Sequence, residues 1–247
     1  MHESQRVLDA LGVSTPPALH QPLSGPGEAQ LKASLLNDAS HYIRHAALAL
    51  AQGMADVQAE RCTWATVQLY YSVFYSSRAL LAADDFCVFY SNGSPRLLLA
   101  RAGEMPVKAA GATHLVTLRA YEERYPNSFF LSQQIDQLSP IQWLCRKRED
   151  ANYRLVGPTE PLLPPELLKP VSIGIRRAVA AYLRDTIYTF DPDHALVAFP
   201  LGFFREALTV SRNKGIPQVD SEFQKTLAVL LRDRSGPVTE LVSLMAA

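Results

Sequence analysis

The 247-residue sequence predicts a mainly α-helical protein. Long stretches without proline carry apolar residues at spacings of three and four, which is the period of one helix face. Strand signals are weak throughout, and the one strand-like run, "ALVAFPLGFF" (195–204), is interrupted by Pro200. With 48% hydrophobic and 19% charged residues, the chain has a globular composition and can bury a substantial core.

The N-terminal part is predicted to be a strap or linker over residues 1–27. One short helix at 4–11 precedes the Pro/Gly-rich stretch "STPPALHQPLSGPG" (14–27), which is typical of irregular chain. A long helix is predicted at 28–54, because its apolar residues recur at helical spacing and no proline interrupts it.

A second long helix is predicted at 61–83. Its main seam, stepping by threes and fours, comprises Trp64, Val67, Tyr71, Phe74, Arg78 and Leu81. Other faces of this helix are apolar too, so we expect it to be central in a bundle and part of its surface to be buried between chains. "YSNGSP" (90–95) then breaks the helical pattern, and 96–106 is predicted to be irregular or a short helix.

A third helix is predicted at 109–125, and a fourth has a clear start at Ser139. Ser139 is a candidate N-cap, Pro140 suits the first helical position, and Gln142 completes an S-x-x-Q capping box. This helix should run to about Tyr153.

The strongest candidate boundary is "GPTEPLLPPELLKP" (157–170), which holds five prolines. Beyond it, segments 171–190, 201–212 and 221–232 each look helical. The predicted organisation is therefore a strap at 1–27, a helical bundle at 28–156, and a C-terminal helical extension at 157–247 packed on the bundle.

Several function classes lack support in the composition. Lys+Arg and Asp+Glu are both 24, so there is no global attraction to nucleic acid or anionic membrane. Three cysteines without a C-x-x-C pair indicate neither a disulfide framework nor a cysteine zinc site, and they fit a reducing cytoplasm. There is no basic-then-apolar leader and no apolar stretch of about 18 residues, so we expect a cytoplasmic protein without a membrane span. Phosphate-loop, zincin and hydrolase motifs are absent, and no cofactor is predicted.

The sequence alone assigns no metal-binding or acid–base role to the histidines. His41 and His45 lie four residues apart on one helix, a spacing that suits a metal, but further ligands are not evident nearby. A surface or core pair is the favoured interpretation, so no metal site is predicted. His20, His114 and His194 have no recognisable acid–base partners in the sequence.

Most candidate chemistry is concentrated in "PIQWLCRKREDANYRLVGP" (140–158). One interpretation is purely structural: the cations of 146–148 lie near a helix end, where they interact favourably with the dipole, and Glu149 and Asp150 pair locally. In another interpretation, this segment pairs with Arg78 of the second predicted helix. Arg78 lies on an apolar seam, so it needs a carboxylate or must reach water, and Glu149 and Asp150 are its expected partners.

Two segments, "WATVQLYYSVFYSSRALLA" (64–82) and "RKREDANYRL" (146–155), together resemble the HEPN superfamily. "YYSVFYSSRALL" (70–81) is similar to the family's typical "YYAAFHAARALL", including Arg78, and the later segment is similar to its R-x4-H-x-Y motif. The resemblance covers about 28–156. It implies an up-and-down four-helix bundle that dimerises, so that Arg and His of both subunits line one cleft. In active members this cleft cleaves RNA without a metal.

The chain departs from the motif at the histidine. With Arg146 as the motif arginine, Ala151 stands where the histidine would be; with Arg148 instead, Tyr153 follows four intervening residues. Segment 140–160 contains no His, and a tyrosine with an unperturbed pKa of about 10 is a poor proton shuttle at neutral pH. The resemblance therefore implies a degenerate, non-catalytic subunit.

The leading hypothesis is a HEPN-like subunit that acts by dimerisation or docking in a prokaryotic antiviral-defence or toxin–antitoxin assembly. Its partner is expected to be a second copy or another defence-system protein, with RNA as a further candidate. Residues assigned to RNA, phosphate or partner binding are Arg146, Arg148, Asn152 and Arg154.

Two alternatives stay open. One is an active metal-independent ribonuclease that uses Arg146, Arg148 and Tyr153, with a histidine supplied from elsewhere or by a partner. The other is a nucleotide-binding regulator, although no phosphate-binding motif in the sequence supports it. Whether the chain is an enzyme is thus undecided, and the missing histidine favours a non-enzyme.

Overall fold

The computed structural model describes residues 2–15, 21–154, 164–185, 189–216, 220–230 and 241. As predicted, this part of the chain is mainly helical, with one small sheet. Its α-helices are α1 (Glu3–Ala10), α2 (Gly25–Gln58), α3 (Cys62–Ala83), α4 (Thr113–Arg124), α5 (Pro140–Glu149), α6 (Pro165–Ile173), α7 (Ile175–Arg184), α8 (Pro192–Asn213) and α9 (Ser221–Leu230).

Helices α2 and α3 form the centre of the fold and pack along their lengths. The close approach depends on Gly53, where a Cβ atom would lie 2.8 Å from the Leu69 side chain. Most of the predicted seam of α3 is buried or half-buried, but Trp64 is 59% exposed, so its assignment to the seam was wrong. Trp64 lies in the first turn of α3 and points to solvent instead.

A β-hairpin follows α3, although the sequence predicts no strand here and residues 96–106 are predicted to be irregular or a short helix. Strands β1 (Phe86–Ser91) and β2 (Ser94–Leu99) pair antiparallel, and the short β3 (Val107–Lys108) pairs with β2. Asn92 and Gly93 both have positive φ, 49° and 71°, as a two-residue hairpin turn requires. The Asn-Gly dipeptide is the strongest short-range hairpin signal, so this signal was available in the sequence.

The C-terminal helices share the main hydrophobic core with α2 and α3. Helix α8 packs against both, and its Phe199, Phe203 and Phe204 are fully buried. The strand-like run 195–204 is the interior of α8, with Pro200 inside the helix. The segment predicted as one helix at 171–190 is divided: α6 ends and α7 begins at Gly174, whose φ of 84° a residue with a side chain rarely adopts.

The predicted start of the fourth helix is confirmed as α5. Ser139 Oγ accepts a hydrogen bond from the Gln142 N–H (3.2 Å), and Pro140 occupies the first turn. The same hydroxyl donates to Glu122 of α4 (2.8 Å), which ties the start of α5 to its neighbour. None of the helices in the described ranges is long and apolar enough to cross a bilayer.

Candidate functional site

The three consecutive cations of 146–148 face three different neighbours and do not form one basic patch. Successive residues of an α-helix point about 100° apart, so these side chains diverge. Lys147 turns to the C-terminal helices: it forms an ion pair with Glu166 of α6 and lies 5.4 Å from the centre of the Trp143 ring. Its charge is therefore already paired within the protein.

Arg146 borders a groove between α4 and α5. The groove has a volume of about 530 Å³, and Glu122 and Glu149 line it together with Arg146. Burial is the main cause that raises the pKa of Cys145 in this groove to about 12, and both glutamates add to the rise. The thiol is therefore protonated at neutral pH and is a poor nucleophile.

Arg148 turns towards α3 and lies between two tyrosine rings. Its guanidinium carbon is 5.5 Å from the ring centre of Tyr70 and 5.7 Å from that of Tyr153, which is cation–π geometry. Tyr70 is buried, whereas Tyr153 is 74% exposed. Within the described part of the chain, the buried Nε of Arg148 has no hydrogen-bond partner. The two rings hold the guanidinium, and its Nε is shielded from solvent.

A π-helical turn, Asp150–Arg154, extends α5 and positions Tyr153. In a regular α-helix, a residue five positions on points about 140° away, whereas the i to i+5 bonding of a π turn places it over Arg148. Ala151, at the position of the motif histidine, is half-buried, and Asn152 is exposed. The side chain of Arg154 lies outside the described residues.

A histidine that the sequence did not connect with this cluster lies beside it. His114 is the second residue of α4, and its ring centre is 6.4 Å from that of Tyr70, edge-on. Burial is the main cause that lowers the pKa of His114, the Arg148 guanidinium lowers it further, and Glu149 opposes this. The imidazole is therefore neutral at neutral pH and can accept a proton. We call Arg148, Tyr153, Tyr70 and His114 the Arg148 surface.

Arg78, on the same helix as Tyr70, belongs to a different and buried environment. Its Nη2 donates to the carbonyl of Val88 in β1 (3.0 Å), and its guanidinium carbon lies 4.6 Å from the Tyr42 ring centre. The contacts of Arg78 are thus with Val88 and Tyr42, whereas the sequence predicts Glu149 and Asp150 as its partners. Those residues follow Arg148 at the level of Tyr70, which is eight residues, or about 12 Å, from Arg78 along α3.

A buried carboxylate in the same region as Arg78 is that of Asp38 in α2. It is buried and accepts hydrogen bonds from the N–H groups of Glu3 (2.8 Å) and Ser4 (3.0 Å) and from the Ser4 hydroxyl (2.6 Å). Burial raises the pKa of Tyr42, while Arg78 lowers it and Asp38 raises it, so the three lie in one buried polar cluster. This cluster attaches α1 to the bundle.

A further cluster, at the N-terminus of α8, contains Asp191, Asp193 and His194, with ligand-type atoms within 4.8 Å of one another. His194 and Asp191 form a capping box that begins the helix. Lys169 Nζ lies 3.3 Å from both the Asp193 carboxylate and His194 Nδ1, so a cation already neutralises the group. Helix capping accounts for this arrangement. The predicted His41–His45 pair is exposed, and the His45 ring stacks on Tyr75 at 5.1 Å.

Comparisons with models of protein families, with curated proteins and with solved structures return no match for the chain. A function must therefore be argued from the residues themselves.

Proposed function

We propose that the chain is a HEPN-like, non-catalytic subunit that docks through the Arg148 surface. The observation that carries this proposal is the position of Arg148. Two tyrosine rings hold its guanidinium, and one of them, that of Tyr153, is 74% exposed, so the cation lies beside an open aromatic surface. A guanidinium fixed in this way suits a phosphate or carboxylate, which it can bind through two parallel hydrogen bonds.

The proposed ligand is the phosphate backbone of single-stranded RNA. Exposed tyrosine next to arginine is a common arrangement for RNA, because bases stack on the ring while the cation contacts phosphate. Arg146 contributes less to this surface than the sequence analysis expected, since it borders the groove between α4 and α5. Asn152 is exposed beside Tyr153 and is available for a polar contact.

The non-catalytic part of the proposal rests on Ala151. Its methyl group stands where the motif of the resembling family has histidine, and it cannot carry a proton. General acid–base catalysis contributes about 10²–10⁴-fold to a rate, so its loss leaves binding without appreciable cleavage.

The proposal includes an assembly in the cytoplasm, either a homodimer or a complex with another protein of a prokaryotic defence or toxin–antitoxin system. Trp64 and Tyr153 are 59% and 74% exposed. Large aromatic side chains are enriched in interfaces, and their exposure on the predicted bundle supports burial against a partner.

A second candidate function, a metal-independent ribonuclease, is favoured by one observation: His114 lies beside Tyr70 in its neutral form. In that mechanism His114 accepts the proton of an RNA 2′-hydroxyl, and Arg148 stabilises the charge that develops on the attacked phosphate. The histidine would then come from α4 and not from α5.

The test measures binding and cleavage of labelled single-stranded RNA by the same purified proteins. Wild type is expected to bind without cleavage, and Arg148→Ala is expected to weaken binding about 10-fold, the loss of one charge-assisted contact. Arg177→Ala, on the exposed face of α7, is the matched control and should bind as wild type does.

Cleavage by wild type that is lost in His114→Ala would replace the first candidate with the second. Absence of RNA binding, combined with a monomeric mass by light scattering at micromolar concentration, would contradict both.

A further inference from the structure

We propose that a cleft at the far end of α4 binds a nucleoside monophosphate. The cleft has a volume of about 660 Å³, within the range of small-molecule sites. It lies where the C-terminal end of α4 and residues 125–130 meet α7 and α8. Arg124, at this end of α4, is ten residues from His114, or about 15 Å along the helix, so the cleft is separate from the Arg148 surface.

One wall of the cleft is aromatic and held in place. The Tyr125 hydroxyl donates to the Leu80 carbonyl (3.1 Å) and lies 2.8 Å from the Asp84 carboxylate, which fixes its ring. Phe130 is 8% exposed and packs edge-on against Phe129 at 5.6 Å. Phe129 itself is 49% exposed at the cleft, although it is apolar. A planar ring stacked on Phe129 would cover this surface.

The floor of the cleft is open because α8 presents small residues there. Ala198 and Gly202 are one helical turn apart and both line the cleft. A Cβ atom at Gly202 would lie 3.3 Å from the Phe130 ring, so a larger residue would crowd the aromatic wall.

Two guanidinium groups line the cleft, that of Arg124 on α4 and that of Arg205 on α8. Arg205 Nη1 donates to the Leu183 carbonyl (2.7 Å), which fixes the side chain and leaves its other N–H groups for a ligand. Arg124 Nε lies 3.9 Å from the Asp84 carboxylate, a loose pairing. Arginine binds phosphate with two parallel hydrogen bonds, so these residues are suited to a phosphate placed between them.

Two carboxylates, Asp185 and Glu206, also line the cleft. Carboxylates accept hydrogen bonds from hydroxyl groups such as those of ribose, and they repel additional negative charge. Two cations beside two anions therefore favour one phosphate with neighbouring hydroxyls over a polyphosphate. A planar base, a ribose and a single phosphate together match the three kinds of lining group. The sequence carries no phosphate-loop motif, and here side chains would take the role of such a loop.

The experiment is calorimetric titration of the full chain with AMP, adenosine and inorganic phosphate as separate probes. AMP is expected to bind with a sub-millimolar Kd and adenosine about 10-fold more weakly, since adenosine lacks the contacts to arginine. Arg124→Gln should weaken AMP about 10-fold and leave adenosine unchanged. Phe129→Ala should weaken both, because it removes the stacking surface.

Arg177→Gln is the control and should bind AMP as wild type does. Arg205→Gln is measured together with its melting temperature, because Arg205 also supports the Leu183 carbonyl; exposed Arg124 is the decisive variant. No heat of binding with AMP at about 10 mM would overturn the proposal. Inorganic phosphate binding as tightly as AMP, or AMP binding that neither Arg124→Gln nor Phe129→Ala changes, would overturn it too. The result does not depend on whether the Arg148 surface binds RNA.

Discussion

Arg78 and Arg148 both place a guanidinium group on a tyrosine ring, 4.6 Å and 5.5 Å from the ring centre, yet one site is closed and the other open. Arg78 is 8% exposed and donates to a backbone carbonyl. Arg148 has a buried Nε without an acceptor in the described ranges and is flanked by an exposed tyrosine. The same side-chain chemistry therefore contributes to cohesion at Arg78, and we propose that it contributes to binding at Arg148.

The β-hairpin is the main structural difference between the Arg78 site and the Arg148 site. Val88 of β1 brings its carbonyl to Arg78, while Ser4 and Asp38 complete the surrounding polar cluster. Arg148 lies between the buried ring of Tyr70 and the exposed ring of Tyr153. Because β1 and the N-terminal strap enclose Arg78, we expect it to contribute mainly to stability. Because the π turn flanks Arg148, we expect it to contribute mainly to binding.

The largest effect on stability is expected from Arg78→Ala. It leaves the Val88 carbonyl without its donor and removes the packing on the Tyr42 ring, which should cost about 3 kcal/mol of unfolding free energy, or roughly 6–12 °C in Tm. Arg78→Lys should recover only part of this, because lysine lacks the planar fork. The measurement is chemical and thermal denaturation, with Arg177→Ala as the control. An unchanged Tm in both Arg78 variants would show that this arginine is not enclosed.

A smaller loss is expected from Asp38→Asn. The amide keeps one acceptor but turns a donor towards the Glu3 and Ser4 N–H groups, so about 2 kcal/mol should be lost and α1 should detach first. Hydrogen exchange of the α1 amides, compared with those of α3, measures this local opening. Equal protection of α1 in wild type and variant would show that Asp38 does not hold the strap.

The smallest stability effect is expected from Arg148→Ala. A partly exposed cation–π contact contributes about 0.5–1 kcal/mol, so the melting temperature should change little while RNA binding falls. Denaturation curves recorded beside the binding assay separate the two readouts. A loss of stability as large as that of Arg78→Ala would remove the distinction between the closed and open sites.

The helices could be predicted largely from the sequence, whereas the contacts between them could not. Apolar spacing located α2 and α3, and Ser139 with Pro140 located the start of α5. The hairpin is not among the predicted elements, because "YSNGSP" (90–95) is interpreted only as a break in the helical pattern although Asn92 and Gly93 adopt the positive φ of a hairpin turn. The Val88 carbonyl that accepts from Arg78 belongs to β1, so a sequence prediction without this strand offers only carboxylates as partners for Arg78.

Two features of the candidate site differ in how well the sequence predicts them. The divergence of Arg146 and Arg148 follows from helix geometry alone, since residues two apart do not face each other. The approach of His114 to Tyr70 does not: it depends on how the start of α4 packs against α3, over a separation of more than forty residues. Tertiary packing sets that distance, and no local pattern in the sequence encodes it.

In genetic terms, the π turn at Asp150–Arg154 is equivalent to one inserted codon within a helix. A chain that lost Ala151 would close into a regular α-helix, with its tyrosine four residues after Arg148 and still on the same face. The arginine–tyrosine contact would survive, and Asn152, which directly precedes the tyrosine, would keep its direction as well, because the π turn had absorbed the extra residue. The loss of a single codon is thus expected to remove the π turn and the position of Ala151, while Arg148, its tyrosine partner and the start of α5 keep their places.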